Sequence, residues 1–66
     1  MGQTGPVRAE LSSLSSSTNS MKERVAALAD GLHPEKDAEM RSILHEVERS
    51  LASAARHLDR AVRLTR

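Results

Sequence analysis

Apolar residues recur through the first half of the chain at alternating spacings of three and four residues. Only one member of the series is polar, and the series comprises Val7, Leu11, Leu14, Thr18, Met21, Val25, Leu28 and Leu32. Such a series stays on one side of an α-helix and is the heptad pattern of helices that pack side by side. It predicts a helix over residues 6–30, with Pro6 in its first turn, after a disordered lead at residues 1–5.

A second series with the same spacing occupies the other half of the chain. Its members are Met40, Leu44, Val47, Leu51, Ala54, Leu58 and Ala61. Four more apolar residues lie beside this line, namely Ile43, Ala55, Val62 and Leu64. They widen the apolar surface beyond that of a simple two-stranded coil. The pattern predicts a second helix over residues 35–65.

The segment between the two series carries signals that end one helix and start the next. Gly31 is expected to adopt the left-handed conformation that closes many helices, with Leu32 packing back on the last turn. Pro34 cannot continue the first helix but can begin the second, with His33 as its cap. The sequence therefore predicts an all-α fold, a coiled-coil-like two-helix antiparallel hairpin formed by residues 6–66 with its bend at 31–34.

Folded back at this bend, the two apolar lines are expected to face each other. One antiparallel alignment pairs all the layers, from Leu28 against Met40 beside the bend to Val7 against Ala61 at the open end.

A serine-rich stretch at residues 12–20 leaves two alternatives for the first helix. Ser, Thr and Asn side chains compete for backbone hydrogen bonds and lower helix propensity. Ser20 and Glu23 also fit a capping box, so the stretch could be a disordered arm before a shorter helix from residue 21. We favour one continuous helix, because a linker has no reason to keep Leu11 and Leu14 in phase with the apolar residues that follow.

The chain is short, with 66 residues, no cysteine and no aromatic residue. A chain of this size buries a smaller fraction of its surface than a larger domain does, so its stability usually requires a staple or a partner. We therefore expect completion to a four-helix bundle, either as a homo-oligomer or with a helical protein partner. The residues predicted to form this protein interface are Leu11, Leu14, Met21, Val25, Leu28, Ile43, Leu44, Val47, Leu51, Leu58 and Val62.

Residues that could support catalysis or metal binding are sparse. The three histidines, His33, His45 and His57, are not spaced four apart, and none follows a Glu-x-x pattern, so a metal-binding signature of helical bundles is missing. The many serines are not set in a Gly-x-Ser-x-Gly nucleophile turn. We expect no enzymatic activity, no cofactor and no metal.

Four arginines near the end of the chain form the most suggestive charged group, here called the arginine stripe: Arg49, Arg56, Arg60 and Arg63. Their spacing places them on the outer side of the second helix, where Asp59 could pair with two of them. The stripe could contact an acidic protein surface or the phosphates of nucleic acid. The net charge of only +1 and the missing aromatic residues disfavour nucleic acid.

Together these features favour a non-enzymatic assembly or adaptor protein that acts through its heptad lines. The alternative is a small regulator or inhibitor that binds nucleic acid or an acidic protein surface through the arginine stripe. No apolar run reaches the length of a membrane span, and the start of the chain does not resemble a secretory signal, so we expect a cytoplasmic protein. The plan of a short hairpin rich in Ala, Leu and Arg resembles several groups of bacterial helical-hairpin proteins, a resemblance that implies no particular activity.

Overall fold

Two α-helices connected by a short turn make up the fold of the chain. The structure, a computed structural model, describes residues 4–65 and contains α1, Thr4–Asp30, and α2, Ala38–Arg63. The helices pack against each other along their lengths. Hydrogen bonds join Arg41 to Ala29 beside the turn and Ser15 to Asp59 further along, so the helices run in opposite directions. The prediction of an all-α helical hairpin is confirmed.

The first helix begins earlier than its apolar pattern indicates. Thr4 and Gly5, assigned above to a disordered lead, belong to α1, while residues 1–3 lie outside the described part of the chain. Pro6 is compatible with this start, because the N–H groups of a first helical turn have no acceptor within the helix. A proline at the third helical position therefore costs no hydrogen bond.

The serine-rich stretch is helical throughout, so the prediction of one continuous helix is confirmed and the alternative of a disordered arm before a helix from residue 21 is wrong. Two of its polar side chains bond to the helix backbone one turn earlier. The Thr18 hydroxyl donates to the Leu14 carbonyl at 2.7 Å, and the Asn19 amide donates to the Ser15 carbonyl at 3.0 Å. These bonds satisfy groups that would otherwise compete with the helix.

The prediction of a left-handed glycine at the end of α1 is wrong. Gly31 has no positive φ, and its N–H donates to the carbonyls of Ala27 and Leu28, each at 3.2 Å. Leu32 N–H then donates to the Ala29 carbonyl at 3.2 Å. The last turn of α1 thus tightens toward three-residue spacing, which satisfies the terminal carbonyls without a left-handed residue.

The connection between the helices occupies residues 31–37, longer than the predicted bend at 31–34, and α2 begins at Ala38 instead of residue 35. Its geometry depends on His33. The His33 Nδ1 atom accepts hydrogen bonds from the N–H groups of Glu35 at 3.1 Å and Lys36 at 3.0 Å, while the Asp37 carboxylate accepts one from His33 N–H at 3.0 Å. His33 and Asp37 therefore cap a separate turn, and that turn delays the start of α2.

The surface along which the helices touch differs from the predicted one. We call it the contact seam, and its buried or half-buried members are Leu11, Ser15, Thr18, Lys22, Val25 and Ala29 on α1 and Arg41, Leu44, Glu48, Leu51, Ala55, Leu58 and Val62 on α2. Within the two helices, every second member of each predicted line is in this seam. The intervening members are not, and Leu28 and Met40, predicted to face each other, are 63% and 53% exposed.

Small side chains explain this rotation of the helices. Ala29 is fully buried and Ala55 is 6% exposed, and Ser15 is buried with them. Residues of this size let two helix backbones approach closely, since interaxial distance depends on the side chains at the contact. The seam therefore combines one line that is mostly leucine and valine with one line of mostly small or long polar residues.

Candidate interaction surface

Seven of the larger apolar side chains outside the contact seam lie together on one side of the hairpin. We call this surface the apolar face, and it comprises Val7, Leu14, Met21 and Leu28 of α1 and Met40, Ile43 and Val47 of α2, which keep 36–63% of their exposure. On α1 each of these residues except Val7 directly precedes a seam residue, as do all three on α2. Because the helices are antiparallel and right-handed, residues one step before the seam point to the same side of the hairpin on both helices.

A groove between the helices confirms that the two sets share a side. It is lined by Met21, Val25 and Leu28 from α1 and by Val47 and Leu51 from α2, with Arg24 at its edge. Its floor is formed by seam residues and its walls by residues of the apolar face. Such a groove is the type of surface into which an amphipathic helix packs.

The structure divides the predicted interface residues into two groups. Six of them are half-buried between α1 and α2, namely Leu11, Val25, Leu44, Leu51, Leu58 and Val62. Five are exposed on the apolar face, namely Leu14, Met21, Leu28, Ile43 and Val47. The first group therefore joins the two helices, and the second forms the exposed part of the predicted interface.

The opposite side of the hairpin is polar. A shallow depression there is lined by Lys22, Glu23, His45, Glu48 and Arg49, together with the small Ala26 and Ala52. The four residues of the arginine stripe are exposed on α2, and two of them share a depression with an acidic residue: Arg49 and Arg56 with Glu46. That carboxylate offsets part of the positive charge of the stripe.

Two hydrogen bonds between the helices involve residues that the apolar pattern did not single out as a contact. The Ser15 hydroxyl donates to the Asp59 carboxylate at 2.8 Å, and the Arg41 Nε–H donates to the Ala29 carbonyl at 3.2 Å. Arg41 thus places a positive charge at the carboxyl end of α1, where the helix dipole favours it. The position of Arg41 just after the bend is a sequence signal for this contact. Nothing in the sequence distinguishes Ser15 from the neighbouring serines.

Within residues 4–65 the structure brings together no group of three His, Asp or Glu side chains that could hold a metal ion. Neither helix there is long and apolar enough to cross a membrane.

Comparison of the chain with family models, with curated proteins and with solved structures gave no match.

Proposed function

We propose that this chain is a non-enzymatic assembly or adaptor protein that binds helical protein surfaces through its apolar face. The observation that carries the proposal is the concentration of exposed Leu, Ile, Val and Met side chains on one side of the hairpin while the other side is polar. Exposed apolar patches of this kind mark protein interaction sites on small proteins. We further propose that its helices pack as a coiled coil and that it acts in the cytoplasm of a bacterium.

The mechanism is packing of additional helices onto the apolar face, which turns the hairpin into a bundle. Leu14, Met21 and Leu28 recur every seven residues on α1 and serve as anchors that the partner covers. Ile43 and Val47 supply the other wall of the groove. Full burial of a completely exposed side chain of this kind contributes roughly 1.5 to 3 kcal/mol. These side chains are already partly buried, so each contributes correspondingly less.

Site-specific photo-crosslinking in cells that produce the protein tests this proposal. Leu28→benzoylphenylalanine places the reactive group on the apolar face, and Ser16→benzoylphenylalanine places it on exposed surface beside the polar side. We expect protein adducts from position 28 and none above background from position 16. Equal yields at the two positions, or no adduct at position 28, would contradict the proposal.

Contact between the arginine stripe and nucleic acid or an acidic protein surface is a second candidate function. The observation in its favour is that all four of its side chains are exposed. Binding to random-sequence DNA, measured by fluorescence anisotropy over a range of salt concentrations, tests it. If the arginine stripe contacts DNA phosphates, the affinity for DNA must fall steeply as the salt concentration rises. Binding that is undetectable or independent of salt would indicate that the apolar face is the only interaction surface of the two.

A further inference from the structure

We propose that the occupant of the apolar face is a second copy of this chain, packed face to face with its bend pointing the opposite way. This proposal rests on the proposed function and adds the identity and orientation of the partner. In this dimer a two-fold axis crosses the hairpin at right angles to its helices. It places α1 of one copy antiparallel to α1 of the other, and α2 antiparallel to α2.

Charges along the edge of α1 are complementary under this operation. Glu10, Ser17 and Arg24 follow each other at intervals of seven residues, so they lie on one line of the helix. All three are exposed, and Arg24 borders the apolar groove. A two-fold axis beside Ser17 sets Glu10 of each copy opposite Arg24 of the other, which forms two ion pairs. Opposite charges at such flanking positions set the orientation of packed helices.

The apolar residues of α1 match under the same operation. An axis between Leu14 and Met21 sets these two residues opposite each other across the interface, and it sets Val7 opposite Leu28. All four are exposed in the single hairpin. The charged line and the apolar line thus require an axis at the same point of α1, near Ser17.

The hydrogen bonds from Ser15 to Asp59 and from Arg41 to Ala29 place Ser17 level with about residue 56 of α2. The small side chains of Ala54 and Ala55 therefore lie beside the point where the two copies of α2 cross.

The surface area agrees with a dimer of this size. The hairpin exposes 5080 Å², whereas a compact monomer of 7.2 kDa is expected to expose about 4,100 Å². The excess is similar to the roughly 800 Å² that each partner buries in a stable interface of standard size. Covering the apolar face would therefore bring the exposed area per chain close to that of a compact protein.

Static light scattering of the purified full chain at micromolar concentration tests the choice of partner. A dimer mass is expected. A helical monomer at every concentration would overturn the proposal of a second copy. It would leave the proposed function to the crosslinking experiment, in which adducts would then join the chain to a different protein.

Charge reversal tests the orientation. Glu10→Arg or Arg24→Glu alone places like charges opposite each other twice, and each should weaken dimerisation about three- to tenfold. The double variant should restore the wild-type dissociation constant to within about twofold. Glu23→Arg, an exposed site on the polar side, is the matched control and should leave it unchanged. Loss of affinity without rescue in the double variant would overturn the antiparallel pairing of α1.

A disulfide probe gives a second measure of orientation, because the chain has no cysteine of its own. Ser17→Cys lies at the proposed axis and should form a covalent dimer rapidly under mild oxidation. Ser12→Cys, exposed on the polar side, should not. If the two bends pointed the same way, α1 would pack on α2 of the other copy and the two Ser17 positions would lie far apart. A dimer whose Ser17→Cys variant reacts no faster than Ser12→Cys would therefore contradict the proposed arrangement.

Discussion

His33 holds the turn between the helices through both its backbone and its imidazole ring. Its Nδ1 atom accepts two backbone hydrogen bonds and its own N–H donates to Asp37. The arrangement resembles a capping box, in which a side chain at the start of a turn and a carboxylate further on satisfy each other's backbone donors. The Asp37 N–H donates to the His33 carbonyl at 3.1 Å and Pro34 has no N–H, so each backbone donor of residues 32–37 has an acceptor.

We expect His33→Ala to lower the free energy of unfolding by about 1 kcal/mol, the usual effect of removing a capping acceptor. His33→Asn should recover most of that loss, because asparagine is a strong capping residue. Urea unfolding followed by circular dichroism measures both. His45→Ala, at an exposed site on α2, is the control for loss of an imidazole. Equal stability of the alanine and asparagine variants at position 33 would contradict a capping role.

Gly31 shows how a residue-level expectation changes once the backbone is known. A left-handed glycine would make any substitution costly, but Gly31 has no positive φ, and a Cβ atom built there would meet the Ala27 and Leu28 carbonyl oxygens at 3.7 Å. That distance is an ordinary contact. The glycine therefore adds flexibility to the unfolded chain without serving the folded one.

Gly31→Ala is accordingly expected to raise the free energy of unfolding by about 0.4 to 1 kcal/mol, through the reduced entropy of the unfolded chain. The thermal midpoint at fixed protein concentration is the measurement. A destabilised Gly31→Ala variant would indicate that the residue adopts a left-handed conformation in solution.

At the scale of the helices, the contact seam depends on residues too small to be core formers by themselves. Ala29 is fully buried and lies directly between α1 and α2, where its carbonyl also accepts the bond from Arg41. Ser15 is buried at the other end of the seam and bonds to Asp59. The close approach of the helices at these two points keeps the larger seam residues in contact between them.

Ala29→Leu should therefore force the helices apart and cost about 1 to 3 kcal/mol, the usual range for overpacking a well-filled site. Ala27→Leu is the matched control, because Ala27 is exposed two residues away on the same helix and leucine is nearly as good a helix former as alanine. Chemical unfolding of the two variants gives the comparison. Similar stabilities would indicate that α1 and α2 do not touch at Ala29.

At the scale of the whole molecule, the hairpin has two layers of apolar residues with different tasks. The seam residues join α1 to α2, and the apolar face remains exposed beside them. A helix in a four-helix bundle contacts two neighbours, and each contact requires its own apolar line. The wide apolar surface of this chain meets that requirement, while the two-helix unit uses only half of it.

Aspartate substitutions separate these two tasks. Leu51→Asp, in the seam, should remove both helicity and association, because it buries an unpaired carboxylate between the helices. Met21→Asp, on the apolar face, should abolish association while keeping more helicity at the same concentration. Ser16→Asp is the control on exposed polar surface. Circular dichroism and light scattering on the same samples measure the two effects, and a Met21→Asp variant that still associates would contradict a role for the apolar face.

The sequence alone determined the elements of this fold. The three-four spacing of apolar residues is a local property, and it identified both helices, including the serine-rich stretch where residue propensities disagreed. The end of α1 was also correct within a residue, because Pro34 cannot continue a helix and its effect on the backbone is local. The start of α2 was misplaced, since the turn made by His33 and Asp37 depends on side-chain geometry that composition does not specify.

Only the tertiary structure decided how the helices face each other. Two adjacent lines on each helix could have formed the contact, and the heptad pattern favours the more apolar one. Close approach at Ser15, Ala29 and Ala55 favours the other, because small side chains let the backbones come together and allow the bonds from Ser15 and Arg41 across the seam. That rotation of about 50° leaves the apolar face exposed. It thereby separates the residues that build the hairpin from those available to a partner.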